Sequence, residues 1–185
     1  LSSSALLLAN EATSGTTAIP SYHFHNAKVI VSLGADFLGT WLSPVEFGRQ
    51  YTAGRKINEK NPEMSKHFQF ESMLSMTGAN ADDRFTHRPS ETGAVASALL
   101  AAVQGQRASG VDGKLKAGIE AAAKALNENK GKGLVVSGST KVNIQIIVNA
   151  INEAIGANGT TLNWASPIQS FQGIDSEMET LVTDM

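Results

Sequence analysis

The sequence predicts an α/β fold: a three-layer, Rossmann-like domain with a mostly parallel sheet. Three observations carry that reading. Short apolar runs, Val29 to Leu33 and Leu134 to Val136, stop at a glycine or a serine–glycine pair, as strands buried on both faces of a parallel sheet do. Amphipathic segments of helical period lie between them. No internal repeat or low-complexity linker interrupts the alternation of strand and helix, which is the pattern of a layered sheet.

Bulk properties narrow the function classes. At 185 residues the chain is long enough for one domain, residues 1–185, with a real core. Its net charge of -2 provides no basic footprint, which argues against nucleic acid as a partner. No apolar run approaches the roughly 20 residues that span a bilayer. There is no cysteine, so iron–sulfur clusters and the usual structural zinc sites are not expected within this segment. The same absence excludes a disulfide framework and leaves cytoplasm and periplasm both open.

In chain order, Ser2–Ala12 reads as an N-capped helix ending near Gly15, with Leu6 to Leu8 toward the sheet. Ile19-Pro20 breaks it, and Tyr22, His23, Phe24 and His25 lead into the strand Val29–Leu33. The loop Gly34–Trp41 follows, then a helix opened by Pro44 at its first position. That helix sets Val45, Phe47, Tyr51 and Ile57 among polar residues up to Asn58, and Asn61-Pro62 turns the chain. A strand is expected at Gln69–Met76, a loop at Thr77–Asp83, and a short extended piece at Arg84–Arg88 stopped by Pro89.

Two helices come next, one from Ser90 with Val95, Leu99, Ala102 and Val103 inward, the other with Leu115, Ile119, Ala122 and Leu126 inward. After the strand Leu134–Val136 and the loop Ser137–Thr140, Thr140 is positioned to cap a helix that faces Ile144, Ile147, Val148, Ile151 and Ile155 inward. Leu162–Trp164 suits a further strand, and Gly173 opens a last helix with Met178, Leu181 and Val182 on one side. That helix resembles a crossover with no strand after it, so the chain is expected to be a segment of a longer protein.

The three loops at strand ends, Gly34–Trp41, Thr77–Asp83 and Ser137–Thr140, are expected to line one cleft, where glycine turns and helix N-termini offer backbone N–H groups to phosphates. The alternative is that the glycines only permit tight turns. Neither the dinucleotide pattern G-x-G-x-x-G nor the P-loop pattern is present. His23 and His25 have a spacing that suits metal ligands on one face of an extended segment, with packing beside Tyr22 as the alternative. His67 and His87 read as solvated. Asp82 and Asp83, being adjacent, diverge and suit solvation or capping rather than acid–base work. Asp36 suits either acceptance from a ligand amine or hydroxyl, or the holding of its own loop as an Asx-turn. Trp41 and Trp164 suit core or interface positions. No G-x-S-x-G elbow orders a catalytic triad, and no catalytic residue or metal site is assigned.

Three runs, Lys28–Trp41, Glu71–Pro89 and Gly131–Gly156, together resemble the molybdopterin oxidoreductase superfamily, the relatives of dimethyl sulfoxide reductase and formate dehydrogenase. Ala27–Phe37 resembles that superfamily's Ala-Asp-Val-Ile-Val-x-x-Gly-Ala-Asn-Pro run. Arg88 to Thr92 is similar to its Arg-Pro-Gly-Thr helix start, and Gly131–Gly138 to its Gly-Lys-Gly-x-Val-Val-x-Gly run. Within the superfamily the chain looks most like the molybdopterin-like iron–sulfur subunit of alternative complex III, through Ile19–His25, Gly34–Glu46, Lys60–Ser65 and Thr77–Asp82. The resemblance implies a middle domain of the formate dehydrogenase/dimethyl sulfoxide reductase type in a respiratory quinol-oxidising electron-transfer complex. It implies other subunits as partners, a peripheral place on the periplasmic side of the membrane, and iron–sulfur clusters elsewhere in the full protein. Departures at Asp36-Phe37, Thr77-Gly78-Ala79 and Pro89-Ser90 imply a structural domain without its own cofactor. Gly34, Asp36, Gly78, Asn80, Ser137 and Gly138 would then be vestigial cofactor positions. The alternatives are a domain of an active enzyme that binds molybdopterin guanine dinucleotide, and a free-standing nucleotide-binding module.

Overall fold

The computed structural model describes residues 2–57, 59 and 62–185. Asn58, Lys60 and Asn61, expected at the end of the second helix, in the turn after it and in one of the resembling segments, lie outside the described residues. The chain forms a three-layer α/β domain around a four-stranded parallel sheet. Its strands are β2 (Val29–Leu33), β3 (Lys66–Glu71), β4 (Asp83–Thr86) and β5 (Gly133–Ser137), in the order β4-β3-β2-β5. A separate antiparallel pair joins β1 (Ile19–Tyr22) to β6 (Leu162–Ile168). The helices are α1 (Ser4–Ser14), α2 (Pro44–Arg55), the single turn α3 (Met76–Ala79), α4 (Thr92–Val103), α5 (Gly113–Glu128), α6 (Val142–Ala154) and α7 (Asp175–Asp184).

The expected central strand forms as read: every residue of β2 is buried, and β2 pairs in register with β3 on one side and β5 on the other. Val29 stands opposite Lys66 and Gly133, and Leu33 opposite Phe70 and Ser137. That flush register is what brings the three strand ends together. On β3, Phe68 and Phe70 alternate with His67, Gln69 and Glu71, so the strand sends an apolar row to one face and a polar row to the other. Phe70 stacks on Phe85 of β4 at 5.2 Å, and Phe85 packs against Gly118 of α5. The polar row lies under α2, where Tyr51 reaches His67. An aromatic cluster fills the α2 side: Phe24 stacks on Phe37 at 4.4 Å, and Phe47 packs edge-on to Tyr22 and tilted against Phe24.

The free edge of β5 is closed by a side chain. Asn152 of α6 accepts from the Val135 N–H (2.9 Å) and donates to the Val135 carbonyl (2.8 Å), replacing the missing neighbour strand.

Several expectations change. The strand expected at Gln69–Met76 is Lys66–Glu71: β2 supplies ladder partners only from Val29 to Leu33, and beyond Glu71 the chain bends into α3. Met73, Leu74 and Met76 are therefore exposed. Val45 and Ile57 are also exposed, leaving Phe47 and Tyr51 as the apolar contribution of α2. Of Leu6 to Leu8, the first two are buried while Leu8 faces outward, and α1 lies on α6. Its expected serine cap is absent at Ser3; Ser2 accepts from the Ser4 N–H instead. Lys141, not Thr140, is the residue before α6. Ile19–Tyr22 is a strand in its own right, because β6 arrives from the far end of the chain to pair with it. The last helix forms, but buries no side chain, so Met178, Leu181 and Val182 face outward.

Candidate functional site

The strand order reverses at β2: the chain moves outward through β3 and β4, then returns to place β5 on the other side of β2. In open α/β sheets the loops diverge at such a switch point and leave a crevice beyond the carboxyl ends of the strands. A cleft of about 660 Å³ opens there. Two of the three expected loops contribute to its wall, through Gly34, Asp36 and Thr40 after β2 and Gly138 to Thr140 after β5. The wall after β3 is Glu71 to Met76, within the run expected to be strand, and the expected loop Thr77–Asp83, whose first residues form α3, does not line it. A smaller cleft of about 280 Å³ adjoins it, between His87, Thr92, Lys141 and the same glycines.

Gly34 and Gly138 sit at the crossing of two loops. Gly34 has φ 69°, a left-handed conformation that glycine adopts without penalty. A Cβ on Gly138 would lie 2.4 Å from the Gly34 carbonyl oxygen, so only glycine lets the two backbones pass this closely. Asp36 turns one carboxylate oxygen, Oδ1, toward the β3–α3 connection, where it accepts from the Thr77 N–H (3.0 Å) and hydroxyl (2.8 Å). Its backbone carbonyl accepts from the N–H groups of Gly39, Thr40 and Trp41. Asp36 thus organises its own loop and ties it to the next. Phe37 is fully buried in the aromatic cluster.

Of the six candidate residues, Gly34, Asp36 and Gly138 line the larger cleft. Gly78, Asn80 and Ser137 lie behind its wall. Gly78 backs directly onto the Glu71 carboxylate, Asn80 donates to the Met76 carbonyl, and the buried Ser137 hydroxyl donates to the Leu33 carbonyl.

A buried polar chain runs beneath the cleft along the second face of β3. Tyr51 approaches His67 (3.1 Å), His67 approaches Gln69 (3.3 Å), and Gln69 donates to Glu71 (3.0 Å). Glu71 also accepts from the Ser75 N–H and hydroxyl and from Arg84. Burial by itself would raise the Glu71 carboxyl, but hydrogen bonds from Ser75, Arg84 and Gln69 outweigh it and hold the group below the usual carboxylate range. Burial lowers His67 to about 4, so the imidazole is neutral at pH 7. Burial also pushes Tyr51 up to about 12. At the far end Asp82 forms a two-pronged ion pair with Arg55 (2.7 and 2.8 Å) and accepts from the His67 N–H (2.7 Å).

His67 and His87, expected in solvent, are both buried, because the strand and the segment after β4 turn them inward. Asp82 is an ion-paired anchor, and Asp83 pairs with Lys66 at 2.7 Å. His23 precedes a single 3-10 turn, Phe24–Asn26, and His25 lies within it, rather than both sitting on an extended segment; their ring centroids are 5.5 Å apart. His25 contacts Gln50, and no group of three potential metal ligands exists among the described residues. Trp41 packs edge-on to Tyr22, and Trp164 donates to Asn158. Sequence reasoning passed over Glu71 and Gln145 as parts of the site; the polar residues at 67, 69 and 71, two apart on a strand, were the available signal for the first.

The fold and cleft define an α/β domain with a crevice at its switch point. No protein-family model matches the sequence, and no curated protein matches it significantly. No helix among the described residues is long and apolar enough to cross a membrane.

Proposed function

We propose that this chain is the molybdopterin-oxidoreductase-like middle domain of a respiratory quinol-oxidising complex, a structural unit without its own cofactor. The observation that carries the reading is the order of three sequence runs, Ala27–Phe37, Arg88 to Thr92 and Gly131–Gly138, which resemble that superfamily in the same succession. The parallel sheet with its crevice between β2 and β5 accords with it. In this reading the partners are the other subunits of a membrane-associated complex on the periplasmic side, and iron–sulfur clusters reside in other parts of the protein.

A bound molybdopterin guanine dinucleotide, the competing reading, meets a poor match in the cleft. The described residues on the wall of the larger cleft include Asp36 and Glu71 and no lysine or arginine. Glu71 is paired with Arg84 and Lys141 stands in the adjoining cleft, so a pyrophosphate in the larger cleft would face the Asp36 carboxylate, unpaired among the described residues. Asp36 Oδ1 and the loop backbone are already engaged with Thr77 and with each other. These features favour the reading without a cofactor of its own.

The test is purification of the intact protein from detergent-solubilised membranes, followed by identification of co-purifying subunits and assay of molybdenum, pterin and iron. Iron and quinol-oxidising subunits without molybdenum or pterin are expected. Stoichiometric molybdenum and pterin would establish the competing reading, and a protein recovered alone without iron would remove both.

A further inference from the structure

We propose that the larger cleft binds a small organic cation, an alkylammonium or alkylguanidinium with a short apolar tail. The proposal stands on this cleft's own chemistry and does not depend on a place in a respiratory complex.

The wall combines an uncompensated carboxylate with an aromatic face and an apolar rim. Asp36 is half-buried, and none of the ion pairs among the described residues involves it. Its Oδ1 is taken by Thr77, while Oδ2 packs against Gly39 and has as its hydrogen-bond contact only the Thr40 hydroxyl at 3.4 Å, which leaves acceptor capacity for a charged donor. Beside it stands Trp41, half-buried and held in place by Tyr22 (5.0 Å, edge-on) and Phe47 (5.8 Å). A carboxylate next to a fixed indole is a recognised arrangement for holding an organic cation. Met73 and Leu74, 81% and 63% exposed, line the same cleft, which suits an apolar tail.

One further observation points the same way. Leu42 and Phe171, the non-glycine residues with positive φ among those described (51° and 63°), both line this cleft. Backbone held in that region concentrates at ligand sites.

The probes are n-hexylammonium, n-hexanoate with the same tail and opposite charge, and GDP, each titrated by calorimetry with the Trp41 indole followed by NMR. Saturable binding of n-hexylammonium, with no saturation by the other two, is expected. Asp36→Asn retains Oδ1 for Thr77 while removing the charge, and should weaken n-hexylammonium at least tenfold. Leu74→Lys, at an exposed rim position where folding is not at stake, should abolish its binding. Saturation by n-hexanoate or GDP in place of the cation, no saturation by any probe, or unchanged cation affinity in both variants would each overturn the proposal.

Discussion

Replacing Gly138 by alanine tests how tightly the two central loops are locked. The new Cβ would lie 2.4 Å from the Gly34 carbonyl oxygen and 3.1 Å from the Ala35 Cα, both backbone atoms. A carbon–oxygen contact relaxes near 3.3 Å, so the loops must separate by about 0.9 Å. No flexible side chain is available to absorb the movement. The displacement strains the bond from the Gly138 N–H to the Leu33 carbonyl (3.2 Å), which closes the β2–β5 ladder. Overpacking of about 2 kcal/mol and one weakened hydrogen bond of about 1 kcal/mol together give a loss of about 3 kcal/mol. With a urea dependence of about 2 kcal/mol per molar, the unfolding midpoint should fall by about 1.5 M at unchanged slope. Gly93→Ala is the matched control: it lies inside α4 with nothing within 4 Å of the added carbon, and should stabilise by about 0.5 kcal/mol. Urea titrations followed by circular dichroism read both. Equal midpoints for Gly138→Ala and the wild type would refute the claim that these backbones are in contact.

Acidification should weaken the fold through His67 before it touches the carboxylates. The folded imidazole sits at about 4 because burial opposes its charge, whereas the unfolded one titrates near 6.5, so the unfolded state binds the proton more tightly. Stability is therefore complete above pH 6.5 and falls by about 3 kcal/mol as the pH drops to 4. Glu71 and Asp82, both held below the usual carboxylate range, lose their contributions only at lower pH. His67→Gln should flatten the decline between pH 6.5 and 4 in denaturation measured at several pH values; an unchanged decline would assign it elsewhere. Asp82→Ala leaves the Arg55 guanidinium and the His67 N–H without their shared acceptor and should cost about 3 kcal/mol. The exposed Lys66–Asp83 pair is the contrast, and Lys66→Ala should change the unfolding free energy by less than about 0.5 kcal/mol.

Local signals made much of the sheet legible. The β-branched runs at Val29 and Leu134 marked strands buried on both faces, and β2 and β5 lie there. The glycines that ended them marked the loops that meet at the switch point. Helices α4, α5 and α6 followed from residues three and four apart, a spacing that depends only on the helical repeat. Where partners are distant in sequence, the local pattern misled. The mixed run through Phe70 and Met76 read as one strand, yet pairing with β2 ends it at Glu71. Ile19–Tyr22 read as a lead-in segment, yet it is a strand whose partner begins at Leu162.

By itself, then, the sequence determined the layered α/β class, the central strand and the glycine-bearing loops after β2 and β5, because those follow from side-chain period and backbone freedom within a few residues. Only the tertiary structure decided the strand order, and with it that Gly34 and Gly138 touch while Gly78 and Asn80 do not line the cleft. It also decided that His67 is neutral in a buried chain and that Asp36 divides its carboxylate between Thr77 and the cleft. The strand order, the contact of Gly34 with Gly138 and the bond from Thr77 to Asp36 join groups tens of residues apart in the chain, a proximity that no local periodicity encodes.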